Sequence, residues 1–173
     1  DETSDPLNTW AAIKNAIREH GASIDVVIID NMTTLSEGLS MSDKNEFIGV
    51  VAKELVELAM KFDFEAIIFS HLNSPDKSAG PHENGGKVME SQFTGSRALM
   101  RYSHMMMGFE RNKGAIDPNC SLIRLLKNRK YGKTGFVKTY YNEQTGRLFQ
   151  RNWDDSQYAD AKIGKLNKGV SDE

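Results

Sequence analysis

Residues 26 to 30 read VVIID and residues 66 to 70 read AIIFS. Each is an unbroken apolar run, rich in β-branched side chains, that ends on a polar residue. Short runs of this kind are strands buried on both faces, the type that parallel sheets use. Between them, Ser42 is placed to cap a helix running to about Phe62, with Phe47, Val50, Val51, Leu55, Leu58, Ala59 and Phe62 turned toward a core. Strand, helix and strand in that order make a right-handed crossover, and helices on both sides of such a sheet predict a three-layer α/β domain with a mostly parallel central sheet.

Upstream of this unit, Asp5 is an N-cap, Pro6 takes the first helical position, and Trp10, Ile13, Ala16 and Ile17 recur at helical spacing until His20-Gly21. Downstream, residues 71 to 92 form a polar loop whose length points to function. A short helix is expected near 94 to 103. Strands are expected at HMMMGF (104 to 109) and SLIRLLK (121 to 127), and FVKTYY with RLFQ, bridged by Asn142 to Gly146, predicts a closing β-hairpin. Residues 1 to 150 are thus expected to form one domain, and 151 to 173, without apolar periodicity, a flexible tail.

Composition narrows the class. With 173 residues, 39% hydrophobic and 27% charged, the chain can bury a core and is neither disordered nor fibrous. Its one cysteine, Cys120, excludes an internal disulfide and fits a reducing cytoplasm. No apolar stretch approaches the roughly 20 residues a membrane helix needs, so no membrane partner is expected. The first residue is Asp rather than Met, which points to a fragment. Charge is uneven: residues 1 to 65 carry 5 basic and 13 acidic side chains, whereas 111 to 150 carry 9 and 2. The basic segment suits a local anion site or, equally, a solvated face.

Several side chains invite chemistry. Asp30 stands at the carboxyl end of its strand, where open α/β sheets bind ligands, and where an acid can hold the Mg²⁺ of a nucleotide. An Asp there can also simply begin a turn. Ser70-His71 ends the next strand and would face the same crevice, with His able to donate to a phosphate. Lys127 and Arg129, two apart on one strand face, suit phosphate capture, as do Lys130 and Lys133 beyond them, although charges also protect edge strands. Gly95-Ser96-Arg97 and Arg101 lie near a helix start that favours anions or merely caps the helix. A phosphate-cradling loop needs GxxxxGK followed by Ser or Thr, and the nearest string, Gly132-Lys133-Thr134, lacks the first glycine.

Taken together, VVIIDN (26 to 31), IIFSHLNSPDK (67 to 77), FTGSRALMRYSHMMMGFERNK (93 to 113) and LIRLLKNRKYGKTG (122 to 135) resemble the ring-forming, DnaB-like replicative helicases, most closely the helicase half of bacteriophage primase-helicases. The resemblance covers about residues 20 to 149, and its specificity lies in the ordered set. It implies a RecA-like fold, truncated on its N-terminal side, with ATP and Mg²⁺ as cofactors and a cytoplasmic setting in a bacterial or phage-infected cell. It further implies that Asp30 is the Walker B acid and metal ligand, His71 the γ-phosphate sensor, and Lys127 with Arg129 the pair inserted into a neighbouring subunit's site. By the same resemblance Arg111 and Tyr141 flank the nucleotide base, and Lys77, Thr94, Gly95, Ser96 and Arg97 belong to loops gripping single-stranded DNA inside a hexamer of identical subunits. Arg101 stands where many relatives carry Gln, so that residue's role does not transfer. The family's Walker A loop and catalytic Glu are expected upstream of residue 1. The leading expectation is therefore part of an ATP-dependent DNA helicase, the isolated fragment being inactive. The alternatives are another RecA-like ATPase, of recombinase or clock type, or an inactive α/β interaction module.

Overall fold

Helix α1, Pro6–His20, begins where Asp5 accepts the Leu7 N–H and Pro6 fills the first turn. In the computed structural model, which describes residues 5–74 and 81–159, two compact units divide the chain. The first contains residues up to Asn73 together with Phe93–Ser103; the second contains Ser74–Gln92 and everything from His104 onward. The length had pointed to one domain.

In the first unit, α1 is followed by β1 (Val26–Ile29), a single-turn helix α2 (Met32–Leu35), the long α3 (Met41–Phe62), β2 (Glu65–Ile68) and α4 (Ser96–Tyr102). Strands β1 and β2 pair in parallel, Val26 opposite Glu65 through Ile29 opposite Ile68. The crossover read from the sequence is thus present. Helix α3 starts two residues earlier than expected, capped by Ser40 rather than Ser42. It ends at Asp63, which adopts the left-handed conformation usual for glycine and passes its N–H to the Ala59 carbonyl. Ile48, Val51, Leu55 and Met32 are wholly or almost wholly buried beside Trp10 and Ile17, each such side chain contributing about 1.5–3 kcal/mol. Val50, expected in the core, is exposed; Val51 is buried as expected, and Ile48, which was not expected there, is buried too. Gly21 stops α1 with an ordinary right-handed φ; it is glycine because a Cβ would meet the Phe62 ring at 2.5 Å.

One expectation fails in a definite way. Ile29 is buried and Val27 and Ile68 pack against the same core, but Val26, Ile28, Ile67 and Phe69 are exposed. Alternation along a strand puts these two sets on opposite faces. Among the described residues, the parallel pair is therefore covered by helices on one face only.

The second unit is an antiparallel sheet in the order β3 (Met105–Arg111), β4 (Cys120–Asn128), β5 (Gly135–Asn142), β6 (Arg147–Gln150). Among the described residues, parallel pairing is thus confined to β1 and β2. Residues along β3 alternate, with Met106, Gly108 and Glu110 inward. Buried Glu110 accepts two bonds from Arg124, at 2.5 and 2.8 Å, and one from the Val88 N–H at 2.8 Å. Both carboxylate oxygens are engaged, as a buried charge requires, and the bonds raise the Arg124 guanidinium above its ordinary range. The predicted hairpin forms: Asn142 Oδ1 accepts from Gln144 and Thr145, and Gly146 takes φ +67°.

The stretch Arg151–Ala159 is not the loose tail expected. Trp153 is buried, its indole donates to the Thr139 carbonyl at 3.0 Å, and it stacks on Tyr158 with centroids 5.2 Å apart. Lys138 reaches the Trp153 carbonyl and Asp155, and a capping box on Asp154 starts α5, Asp155–Tyr158. Among the described residues no helix is long and apolar enough to cross a membrane.

Candidate functional site

The carboxyl ends of β1 and β2 are joined beyond their last paired residues. Phe69 N donates to Ile29 O and Met32 N donates to Phe69 O, both at 2.9 Å, so the chain leaving one strand is hydrogen-bonded to the chain leaving the other. This puts Asp30-Asn31 beside Ser70-His71, at the edge where α/β sheets receive ligands. The Asp30–Asn31 peptide is cis. Asp30 is exposed. Outside it lies a groove of about 730 Å³ whose lining includes Asn31, Thr34, Leu35 and Glu37, a volume in the range of small-ligand sites.

His71 is held at three points. Its Nε2 lies 3.1 Å from Asn31 Nδ2, its N–H donates to Thr33 Oγ1 at 3.4 Å, and its carbonyl accepts from the Thr94 N–H and hydroxyl at 3.3 and 3.2 Å. Thr94 Oγ1 is also 3.1 Å from Asn73 Oδ1. Gly95 follows at φ +70° and α4 begins. A second groove, of about 700 Å³, runs between α3 and α4, lined by Val50, Lys53, Thr94, Gly95, Arg97 and Arg101 among others. The structure thus brings together Asp30, His71 and the segment Thr94–Arg97. Lys77 lies outside the described residues.

Arg111, Tyr141, Lys127 and Arg129 belong to the second unit. The Arg111 guanidinium lies over the Tyr141 ring, 5.5 Å from its centroid, and is steadied by the Pro118 carbonyl at 2.7 Å. The pair that the resemblance set on either side of a base is therefore in mutual contact. Lys127 is half-buried opposite Met106, next to a bulge where the register slips between Met106 and Met107. β4 ends at Asn128, so Arg129 opens the turn rather than ending the strand, although its N–H still reaches the His104 carbonyl at 2.8 Å.

Sequence reasoning gave no task to Asn31. The available signal was local: Asn is a preferred N-cap, and it stands three residues before Thr34, whose N–H it accepts at 2.8 Å.

A curated relative, a DNA helicase/primase of Enterobacteria phage T3, is 32% identical over 136 residues, 78% of this chain. The chain is thus similar in sequence to part of a phage helicase/primase. It spans about a quarter (24%) of that relative's length. Two solved structures share its fold. One is an ATPase domain, with a TM-score of 0.60 at 16% identity over 86% of this chain and 52% of that one. The other is a DnaB-like replicative helicase described with its interactions with primase, with a TM-score of 0.61 at 16% identity over 86% of this chain and 35% of that one. The fold of this chain is accordingly that of the RecA-like helicase ATPase domains. No family model matches it.

Proposed function

We propose that this chain is part of a replicative DNA helicase that uses ATP to move along single-stranded DNA and unwind duplex. The observation that carries the reading is the hydrogen-bonded run from Asn31 through His71 to Thr94. It links the strand end that resembles a metal-binding acid to the segment that resembles a DNA-facing loop. The exposed carboxylate of Asp30 suits Mg²⁺, which commonly takes one or two carboxylates and completes its shell with phosphate and water. When bound, that ion supplies charge neutralisation at the β and γ phosphate oxygens. His71 donates to the γ phosphate. Within the second unit, Arg111 with Tyr141 offers a flat cation and ring surface of the kind that receives a nucleotide base. Thr94, Gly95, Ser96 and Arg97, with Lys77, hold the DNA strand through its phosphates, so binding is salt-dependent and tolerant of sequence. Lys127 and Arg129 serve the triphosphate of the next subunit in a hexameric ring. The isolated chain, without a GxxxxGK string, is read as unable to turn ATP over alone.

The test is subunit mixing in the longer helicase. Arg129→Ala alone should cost about 10³-fold or more in ATP turnover, the scale of a finger supplied in trans. Asp30→Asn alone should abolish turnover. Rings mixed from the two variants should regain part of it, because some interfaces pair an intact Asp30 with an intact Arg129. Mixed rings as inactive as either parent would refute the assignment in trans.

A further inference from the structure

Asn31 is committed at both ends of its amide. Its Oδ1 accepts the Thr34 N–H at 2.8 Å, which caps α2. A backbone N–H only donates, so the atom facing it is the amide oxygen, and the group left to face His71 Nε2 at 3.1 Å is the NH₂. An amide NH₂ also only donates. The ring nitrogen that meets it must therefore accept. A neutral imidazole has one accepting nitrogen and one N–H, so the proton resides on Nδ1.

We propose that Asn31 is a positioning residue that holds His71 as the neutral Nδ1–H tautomer, so that the ring donates from Nδ1 and not from Nε2. The backbone strengthens the hold. Thr33, on the same single-turn helix, accepts the His71 N–H at 3.4 Å, and Thr94 ties down the His71 carbonyl. Helix α2 thus grips His71 by its ring and by its main chain, and turning the Asn31 amide over would put an NH₂ against the Thr34 N–H. Other residue types at position 31 make the logic specific. A carboxylate can still cap α2, but it only accepts hydrogen bonds and so demands the proton on Nε2. An alanine supplies neither bond.

The use made of the Nδ1 proton, donation to a phosphate oxygen, rests on the proposed function; the tautomer does not. The two are tested apart. Long-range ¹H–¹⁵N correlation of the histidine rings in the ¹⁵N-labelled chain, at about pH 9 where a free imidazole is neutral, distinguishes the tautomers directly. The resonances of His71 are assigned with a His71→Gln variant. The native chain should show His71 as Nδ1–H, Asn31→Asp should switch it to Nε2–H with the Thr34 amide still hydrogen-bonded, and Asn31→Ala should release it toward the Nε2–H form that free histidine favours. An Nε2–H pattern in the native chain overturns the proposal without recourse to any variant. So does an unchanged Nδ1–H pattern in Asn31→Asp with α2 intact. In the longer protein, Asn31→Asp should lower kcat about tenfold or more with a smaller change in KM, the scale of an outer partner of a catalytic group. If that protein hydrolyses no ATP, the helicase reading fails while the tautomer result stands.

Discussion

Gly95 combines φ +70° with so close an approach to Ile48 that a Cβ would lie 2.5 Å from the Ile48 Cγ2. Ile48 is fully buried, so it has little room to retreat. Replacing Gly95 by Ala therefore meets a backbone penalty of about 1–2 kcal/mol and a packing penalty of about 1–3 kcal/mol. Urea denaturation should find Gly95→Ala destabilised by about 2–4 kcal/mol; a loss below about 0.5 kcal/mol would show that the core relaxes around the methyl. The glycine of this segment is thus explained by packing before any nucleic acid is invoked. At this scale the sequence was readable where a polar residue ended an apolar run, which placed Asp30 and His71 just past the ends of β1 and β2. It was unreadable at Asn31, because a four-residue helix has no periodicity to announce its cap.

Helices α1 and α3 are joined by a carboxylate. Glu54 accepts from the Trp10 indole and from Lys14 Nζ, the latter at 3.0 Å. Burial pushes the carboxyl up, but the Trp10 and Lys14 bonds and the Lys14 charge outweigh it and hold Glu54 below its ordinary value. A lowered carboxylate contributes stability above its unfolded pKa and loses it as pH falls through the folded value. Glu54→Gln should therefore cost about 0.5–1.5 kcal/mol at pH 7, partial exposure of both partners keeping the figure modest, and the difference from the native chain should shrink at pH 3. Denaturation curves at the two pH values check this; a gap that widens in acid contradicts it. Helical periodicity placed α1 within its true bounds because Asp5-Pro6 marks its start without ambiguity. It misassigned Val50, since Ile48, Val50 and Val51, with only Gly49 between them, leave the buried arc open to a shift of one position. Trp153 was missed for a different reason: its burial depends on Thr139 and Lys138, partners 14 and 15 residues away that no local pattern reports.

At the scale of the molecule, each compact unit holds one of the two tryptophans, Trp10 in the first and Trp153 in the second. Their cores differ, one a cluster of aliphatic and aromatic side chains under a two-stranded sheet, the other a four-stranded sheet around a buried ion pair and a stacked ring pair. Fluorescence of Trp10→Phe and Trp153→Phe variants should therefore give unfolding curves that do not superimpose, and coincident curves with equal slopes would show one cooperative unit. The α/β class was legible because two short unbroken apolar runs flank a longer segment of helical period. That β1 and β2 are open on one face was not, since an apolar strand reads the same whether its second face is covered or bare. Val26, Ile28, Ile67 and Phe69 on that bare face have a bearing on how the protein behaves in concentrated solution. With a net charge of only −2, the chain has little electrostatic repulsion to keep copies apart. An exposed apolar face of this kind favours contact between copies, and salts excluded from protein surfaces strengthen such contact.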